Sequence, residues 1–363
     1  MNITAQMVKE LRETTGAGMM DCKKALVECD GDMAKAVDYL KEKGIAKAAK
    51  KAARVAAEGL VRIALSDDQK TAALVEVNSE TDFVAKNPEF ISFVEDMAKK
   101  ALEANSTDME AFKALSYDGS TVGEALTAKI AKIGENLSLR RIDKASGEVL
   151  ATYIHGGGRI GVVVVGKGDT SDAAKTALTN VAMQVAAMNP QYVSREDISA
   201  EELEKIKSIT VESSLNDPFN LPKPILNELL DKAVQGVWSA EDVAILEEKR
   251  ADKKFNFNFI TNFISEAAVA QLAKLSVENR ESTVANKMFA GAIEGRVSKQ
   301  LKEICLMDQV YVKAEDGKQS VAQYLGSVSK DLALVKVIRF EVGEGIEKKE
   351  ENFAEEVAKQ MNA

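Results

Sequence analysis

The sequence predicts an α+β protein in which short helices precede two small antiparallel sheets, each backed by helices. Three observations support this fold class. Residues 3–44 carry apolar residues at helical spacing and break at glycines. Between residues 58 and 345, two strand-like runs followed by a helical run occur twice. Both occurrences include Asn-Pro-x-aromatic after the hairpin, first at Asn87 and then at Asn189.

Composition indicates a globular chain that works as a binding protein. The 363 residues leave room for two or three domains, with 45% hydrophobic and 29% charged residues. No apolar run approaches the ~20 residues that span a bilayer, and the first residues lack a signal-peptide layout. Three cysteines leave at least one unpaired, which favours a reducing, cytoplasmic location. Their spacing fits neither a zinc site nor a redox pair, so we expect them to pack in the core.

Charge and histidine content narrow the function further. The net charge is -9 and the pI about 5.1, which argues against direct binding to nucleic acid. His155 is the single histidine, so a catalytic triad or a multi-histidine metal site is disfavoured. We therefore expect no catalytic residue, metal or cofactor.

The N-terminal elements follow from caps and breaks. Thr4 can cap a first helix, residues 16–18 end it, and residues 30–32 end a second. A third helix is predicted to stop at Gly44, and the Ala/Lys run 45–57 is predicted to form a helical linker. Met19 and Met20 follow the first break, where methionine serves either as core filler or as a soft interface residue.

The region after the linker reads as a duplication. Strands are predicted near residues 60–65 and 72–77, then a helix containing Phe93, and again near 149–154 and 160–165, then a helix containing Leu178. Residues 121–126 lead to a third strand at 137–142, and residues 320–325 lead to its counterpart at 333–339. The predicted domains are thus 1–44, 58–145 and 146–345, with further helix between about 200 and 290.

That middle segment is the least determined. Pro218, Pro222 and Pro224 force a break between helical runs. Residues 255–264 alternate at first like a strand, although packing as helix is favoured.

One turn combines features typical of a recognition site. A strand-like run at 72–77 ends in Asn and Ser, and Ser79-x-x-Asp82 then resembles a helix start. Phe83 follows beside the carboxylate. Residue type alone favours a core Phe that closes the turn, whereas an exposed Phe would be an interface anchor.

A second turn mimics a nucleotide site. Residues 156–161 satisfy GxGxxG, but a strand-like valine run, 162–165, follows where a helix is required. Residues 161–168 fit GxxxxGK, but they lack the Ser or Thr needed at Mg²⁺, and the same valines form the interior, where a phosphate-cradling loop is required. The glycines are therefore predicted to form a hairpin turn. His155 opens this turn, where it either makes a local hydrogen bond or contacts a partner.

Three runs resemble one protein family. Residues 76–88 and 11–26 resemble the two signatures of the elongation factor Ts family, the nucleotide-exchange partners of elongation factor Tu, and residues 338–348 resemble that family's C-terminal stretch. The resemblance implies a ubiquitin-associated-like module at 1–44, a helical hairpin insertion at about 200–290 and a C-terminal helix within 346–363.

The resemblance also implies a site and a mechanism. Asp82 and Phe83, with Thr81 and Val84, would wedge between two helices of the partner's GTPase domain and disturb its Mg²⁺ site. The His155 turn, which matches at Gly158 and Arg159 among others, would perturb the phosphate loop. The N-terminal module would grip the same domain around a small set of residues, Arg12, Met19 and Met20.

The implied partner is elongation factor Tu, GDP-bound or nucleotide-free, in complexes that include a dimer or a two-plus-two assembly. Two other functions stay open at this point. An adaptor for ubiquitin-like partners would use residues 1–44 alone. A phosphate-binding enzyme would use the glycine turn and would bind nucleotide by itself.

Overall fold

The structure, a computed structural model, describes residues 3–252 and 254–347. It has an α+β fold that divides into two compact units. The sheet unit contains the described residues up to Asn189 and from Tyr311 onward, and the helical unit spans Pro190–Val310. Within the described ranges, each helix is too short or too polar to span a bilayer. Most of the predicted C-terminal helix at 346–363 lies outside the described residues.

Three helices open the sheet unit: α1 (Ala5–Thr15), α2 (Met19–Glu28) and α3 (Met33–Lys51). The predicted cap is confirmed, because Thr4 Oγ1 accepts a hydrogen bond of 3.2 Å from the N–H of Met7. Leu11, Cys22 and Leu26 are fully buried between the helices. Cys305 is also buried, and half-buried Cys29 packs against the Cys22 cluster, which confirms the expected packing role of the cysteines.

The predicted end of the third helix at Gly44 is wrong, because α3 continues through it to Lys51. Gly44 is buried, and a Cβ there would lie 3.6 Å from the Cβ of Ala131. Close helix packing thus outweighs the low helix propensity of glycine. The expected helical linker is therefore the last turns of α3, and residues 52–57 are not helical.

The first sheet pairs its strands antiparallel in the order β1-β2-β5. Phe93 and Met97 lie buried against it on one face. Its elements are β1 (Glu58–Leu65), β2 (Thr71–Ser79), α4 (Asp82–Ala85), α5 (Pro88–Glu103), α6 (Met109–Lys113), the short strands β3 (Ser116–Tyr117) and β4 (Ser120–Thr121), α7 (Val122–Ile133) and β5 (Leu137–Ser146).

The second sheet has the antiparallel order β6-β7-β8. Leu74 of the first sheet and Val163 and Phe340 of the second belong to one buried cluster, so the sheets share a core. The elements of the second sheet are β6 (Val149–His155), β7 (Ile160–Lys167), α8 (Asp172–Met188), a later helix numbered α15 (Val321–Val328) and β8 (Ala333–Glu341).

The helical unit has its own core, in which Trp238 donates a 3.0 Å hydrogen bond to the carbonyl of Ala268. Its helices are α9 (Ala200–Asn216), α10 (Lys223–Gly236), α11 (Ala240–Ala251), α12 (Glu266–Glu278), α13 (Arg280–Val284) and α14 (Lys287–Ile304), with 3₁₀ turns at Arg195–Asp197, Pro218–Asn220, Phe257–Asn262 and Leu306–Asp308.

This unit exceeds the predicted helical hairpin in both length and helix content. The strand alternative for residues 255–264 is wrong, because 3₁₀ helix buries Ile260 there. The N–H of Gln191 donates to the carbonyl of Ile304 at 2.9 Å, so the two ends of the unit are neighbours.

Candidate partner-binding site

Phe83 is the most exposed large hydrophobic residue described, with 80% of its surface accessible. It lies in α4, a helix of 4 residues that follows β2. The next residue, Val84, is 8% exposed and belongs to the core below. The interpretation of Phe83 as a core residue is therefore wrong. The predicted contact of the Val84 side chain with a partner is therefore disfavoured, because that side chain packs in the core and anchors α4.

The cap of α4 is not at the predicted position. Thr81 Oγ1 accepts a 3.4 Å hydrogen bond from the N–H of Val84, so Thr81 caps the helix. Ser79, the predicted start, is still paired with Glu58 in the sheet. Its hydroxyl instead donates to the carbonyl of Thr81 at 3.0 Å.

A distant loop holds the same turn, and sequence reasoning missed it. The Glu135 carboxylate accepts the N–H of Thr81 at 3.0 Å and its hydroxyl at 2.7 Å. The N–H of Asn136 donates to Glu80 Oε1 at 2.5 Å. The helix-ending Gly134 was the available sequence signal, and it predicts a turn without revealing what the turn contacts.

Asp82 stands beside Phe83 as an exposed, ionised carboxylate. Lys86 Nζ lies 2.6 Å from its Oδ2, one helical turn away. The hydrogen bond from Lys86 holds the pKa of Asp82 below its usual value. Because both side chains are exposed, a partner that offers a better donor can replace Lys86 at little cost.

The glycine turn is a β-hairpin turn, as predicted. It links β6 directly to β7, and Gly156 and Gly157 adopt positive φ angles of 58° and 68°. His155 is exposed, and its Nδ1 lies 3.1 Å from the hydroxyl of Tyr153. Both predicted roles of His155 are therefore compatible: it has a local hydrogen-bond partner and it faces solvent.

Two further predicted contact residues of this turn, Gly158 and Arg159, contact β1. Gly158 is buried at φ 116°, and its carbonyl accepts the N–H of Val61 at 2.8 Å. A Cβ at Gly158 would lie 2.1 Å from Arg62 Nη1, so the turn lies tightly on β1. Arg159 is exposed and pairs with Glu58 at 2.5 Å.

The structure brings the Phe83 turn and the glycine turn to the same end of β1. Glu58, the first residue of β1, binds Arg159 of the glycine turn. Glu58 is also paired with Ser79, the last residue of β2 before the Phe83 turn. One strand end thus carries both predicted contact regions.

The predicted N-terminal contacts lie on different elements. Met19 and Met20 begin α2 and are 58% and 75% exposed, so neither fills the core. Arg12 is exposed on α1. Lys47 of α3 and Asp21 of α2 form a half-exposed ion pair of 3.0 Å between the two helices.

Other features give no rival centre within the described ranges. No cluster of three or more potential metal ligands occurs there. A cleft of about 880 Å³ lies beside Tyr311 and Tyr324, and its lining includes none of the predicted contact residues.

Comparison with known proteins adds independent information. A family model described as elongation factor TS matches residues 80–344. The chain is 45% identical over 366 residues to the elongation factor Ts of Clostridioides difficile (strain 630), with 99% of each chain covered. It is 42% identical to that of Clostridium novyi (strain NT), with 99% of each covered, and 43% identical to that of Clostridium perfringens (strain 13 / Type A), with 98% of each covered.

Proposed function

Because the chain belongs to the elongation factor Ts family, we propose that it binds elongation factor Tu in its GDP-bound and nucleotide-free forms and promotes release of GDP. GTP then enters the emptied site. The chain performs no bond chemistry in this role. Its effect is a coupling free energy. The chain lowers the affinity of the partner for GDP, and GDP lowers the affinity of the partner for the chain by the same factor.

The observation that carries the proposal is Phe83, 80% exposed on a helix that is capped, anchored by Val84 and held by Glu135. A rigidly presented aromatic side chain is the usual form of an interface anchor. We propose that Phe83 and Asp82 enter between two helices of the partner's GTPase domain near its Mg²⁺. Since Mg²⁺ demands near-octahedral geometry, a small displacement of its ligands weakens the bound nucleotide.

The glycine turn supplies the second proposed contact. His155 and Arg159 are exposed at the same end of β1 as Phe83, where they would reach the phosphate loop of the partner. Gly158 supports this contact through the backbone alone, because it is buried. Arg12, Met19 and Met20 are proposed to hold the GTPase domain from the N-terminal helices.

The test is release of a fluorescent GDP from elongation factor Tu, followed by stopped flow while unlabelled GDP is added in excess. Substoichiometric amounts of the chain should accelerate release and turn over many partner molecules. A release rate that is unchanged at a large excess of the chain contradicts the proposal.

Two controls separate the alternatives. Residues 1–51 alone should not accelerate GDP release. If the chain were instead an adaptor that uses only its N-terminal helices, this fragment would bind ubiquitin-like partners as well as the full chain does. Calorimetry of the full chain with GDP or GTP should give no heat of binding, since the glycine turn precedes a strand. Micromolar nucleotide binding would support the enzyme alternative.

A further inference from the structure

The helix that carries Phe83 lacks one half of its capping box. In a capping box, a Ser or Thr at the N-cap binds the N3 amide, and a Glu at N3 binds the N-cap amide in return. Helix α7 has the complete local pair, since Thr121 caps it and the Glu124 carboxylate accepts the N–H of Thr121 at 2.9 Å. In α4 the cap is Thr81, but Val84 occupies N3 and is committed to the core.

Glu135 supplies the missing carboxylate from 54 residues away. Its Oε2 accepts the N–H of Thr81, the bond that an N3 Glu would make, and its Oε1 accepts the Thr81 hydroxyl at 2.7 Å. A helix of 4 residues has no stability of its own, so its direction depends on these contacts and on Val84. Glu135 is thus one of the contacts that hold the start of the helix carrying Phe83.

The loop that contains Glu135 also contacts the end of α3. The carbonyl of Gly134 accepts a hydrogen bond from Lys51 Nζ. Asn136 Nδ2 donates to the carbonyl of Arg54 at 2.7 Å, while its backbone N–H donates to Glu80. Three consecutive loop residues thus join the long N-terminal helix to the Phe83 turn.

We propose that Glu135 is a positioning residue for nucleotide exchange, which aims Phe83 through Thr81, while its neighbours Gly134 and Asn136 connect the same loop to Lys51 of α3 and to Arg54. This inference rests on the proposed exchange function. It adds a residue whose carboxylate binds Thr81 and acts on exchange through that contact. Phe83 and the N-terminal helices would therefore form one pre-organised binding surface for the partner.

The first test is Glu135→Ala in the GDP-release assay across a range of chain concentrations. The maximal release rate should fall about tenfold, because small displacements of a positioned group cost one to two orders of magnitude. The concentration for half-maximal effect should change less, since the other contacts persist. Glu110→Ala is the matched control, as it removes an 82% exposed carboxylate paired only with Lys113 on the surface. A wild-type maximal rate for folded Glu135→Ala would overturn the proposal.

Glu135→Gln keeps the size of the side chain and can accept one of the two hydrogen bonds. Its maximal rate should lie between those of the wild type and Glu135→Ala, and it replaces Glu135→Ala if that variant does not fold. A double-mutant cycle with Thr81→Val should be non-additive, so that the double variant loses less than the product of the single losses. Fully additive losses would show that Glu135 acts elsewhere.

A readout without the partner separates failure of this inference from failure of the exchange function. Amide hydrogen exchange of the segment around Thr81 should speed up in Glu135→Ala and stay unchanged in Glu110→Ala. Suppose that the wild-type chain does not accelerate GDP release from elongation factor Tu, but that Glu135→Ala still loses amide protection around Thr81. The exchange function is then contradicted, and the positioning contact is supported. Unchanged protection in Glu135→Ala would overturn the contact itself.

Discussion

The backbone N–H of Gly343 donates a 2.8 Å hydrogen bond to the Glu76 carboxylate, although the two residues lie 267 positions apart. Glu76 is fully buried and also binds Arg140 at 3.0 Å and Arg141 at 2.5 Å. Gly343 has a φ of 74°, and a Cβ there would lie 2.2 Å from the carbonyl of Ala57. The bond fixes the turn after β8 to the centre of β2, which leads to the Phe83 turn.

Glu76→Gln should destabilise the chain in a pH-dependent way. Burial alone would raise the pKa of Glu76, but hydrogen bonds from Gly343 and Arg140 and the charge of Arg141 outweigh it and lower the pKa. A carboxyl with a lowered folded pKa adds stability above its unfolded value of about 4.3, and that stability disappears as pH falls through the folded value. Near pH 7 the variant should lose about 3 kcal/mol of unfolding free energy.

Urea unfolding at several pH values measures this effect. The gap in unfolding free energy between wild type and Glu76→Gln should stay constant above about pH 5 and shrink as the pH falls below the unfolded pKa of about 4.3. Glu103→Gln is the control, because its side chain is 63% exposed in a surface ion pair, and it should change little at any pH. A gap of constant size across this range would contradict the assigned ionisation.

Phe83→Ala should separate exchange from stability. GDP release should slow by roughly tenfold or more, because loss of an interface anchor costs on the order of 2 kcal/mol. The unfolding free energy should change little, since the ring is exposed. Phe93→Ala is the contrasting variant, because Phe93 is buried and its loss should cost about 3–5 kcal/mol of stability. Early unfolding of Phe83→Ala with normal release would refute the wedge role.

Two neighbouring glycines should respond differently to alanine. A Cβ on Gly157 meets open space, so Gly157→Ala should cost about 1 kcal/mol from its positive φ alone. Gly158 has a φ of 116°, which L side chains rarely adopt, and a Cβ there would displace the flexible tip of Arg62 and lie 3.2 Å from the carbonyl of Val61. Gly158→Ala should therefore cost at least about 2 kcal/mol and displace the His155 turn. Thermal melts and GDP-release rates of both variants test this ranking, and equal losses would contradict it.

The helical unit should be dispensable for exchange. The two ends of the unit are joined by the backbone hydrogen bond between Gln191 and Ile304, and the unit has a separate hydrophobic core. Replacing residues 212–280 alone would cut α9 and leave the buried Phe289 of α14 without its partners, so the replacement should span 190–310. A short Gly/Ser linker there should retain most GDP release and change self-association or stability, as measured by light scattering and melting. A folded deletion variant without exchange activity would place the unit in the mechanism.

Local sequence rules account for much of this fold. Both hairpins and their third strands were predictable because strand alternation and turn residues are local signals. The end of α3 was not, since Ala131 of another helix accommodates Gly44. The helical unit was underestimated because proline breaks predict separate helices without predicting how many pack together.

The candidate site was predictable in part. The positions of Phe83 and His155 followed from sequence motifs, but the exposure of Phe83 did not, because residue type favours burial. The cap at Thr81 was misplaced at Ser79 because strand pairing with Glu58 extends further than the strand pattern indicated. Glu135 was unpredictable, since its role arises only when residues 54 positions apart meet.

The shared end of β1 has a consequence for selectivity. Ser79 before the Phe83 turn pairs with Glu58 in the sheet, and Arg159 of the glycine turn forms an ion pair with the same residue. Both turns are therefore tied to one strand end, which would limit how far their spacing can vary. A GTPase that offered one receptive groove but a different spacing to its phosphate loop would engage one turn and miss the other. Discrimination among related GTPases would then depend on this distance, and lengthening the glycine turn by one residue would shift it.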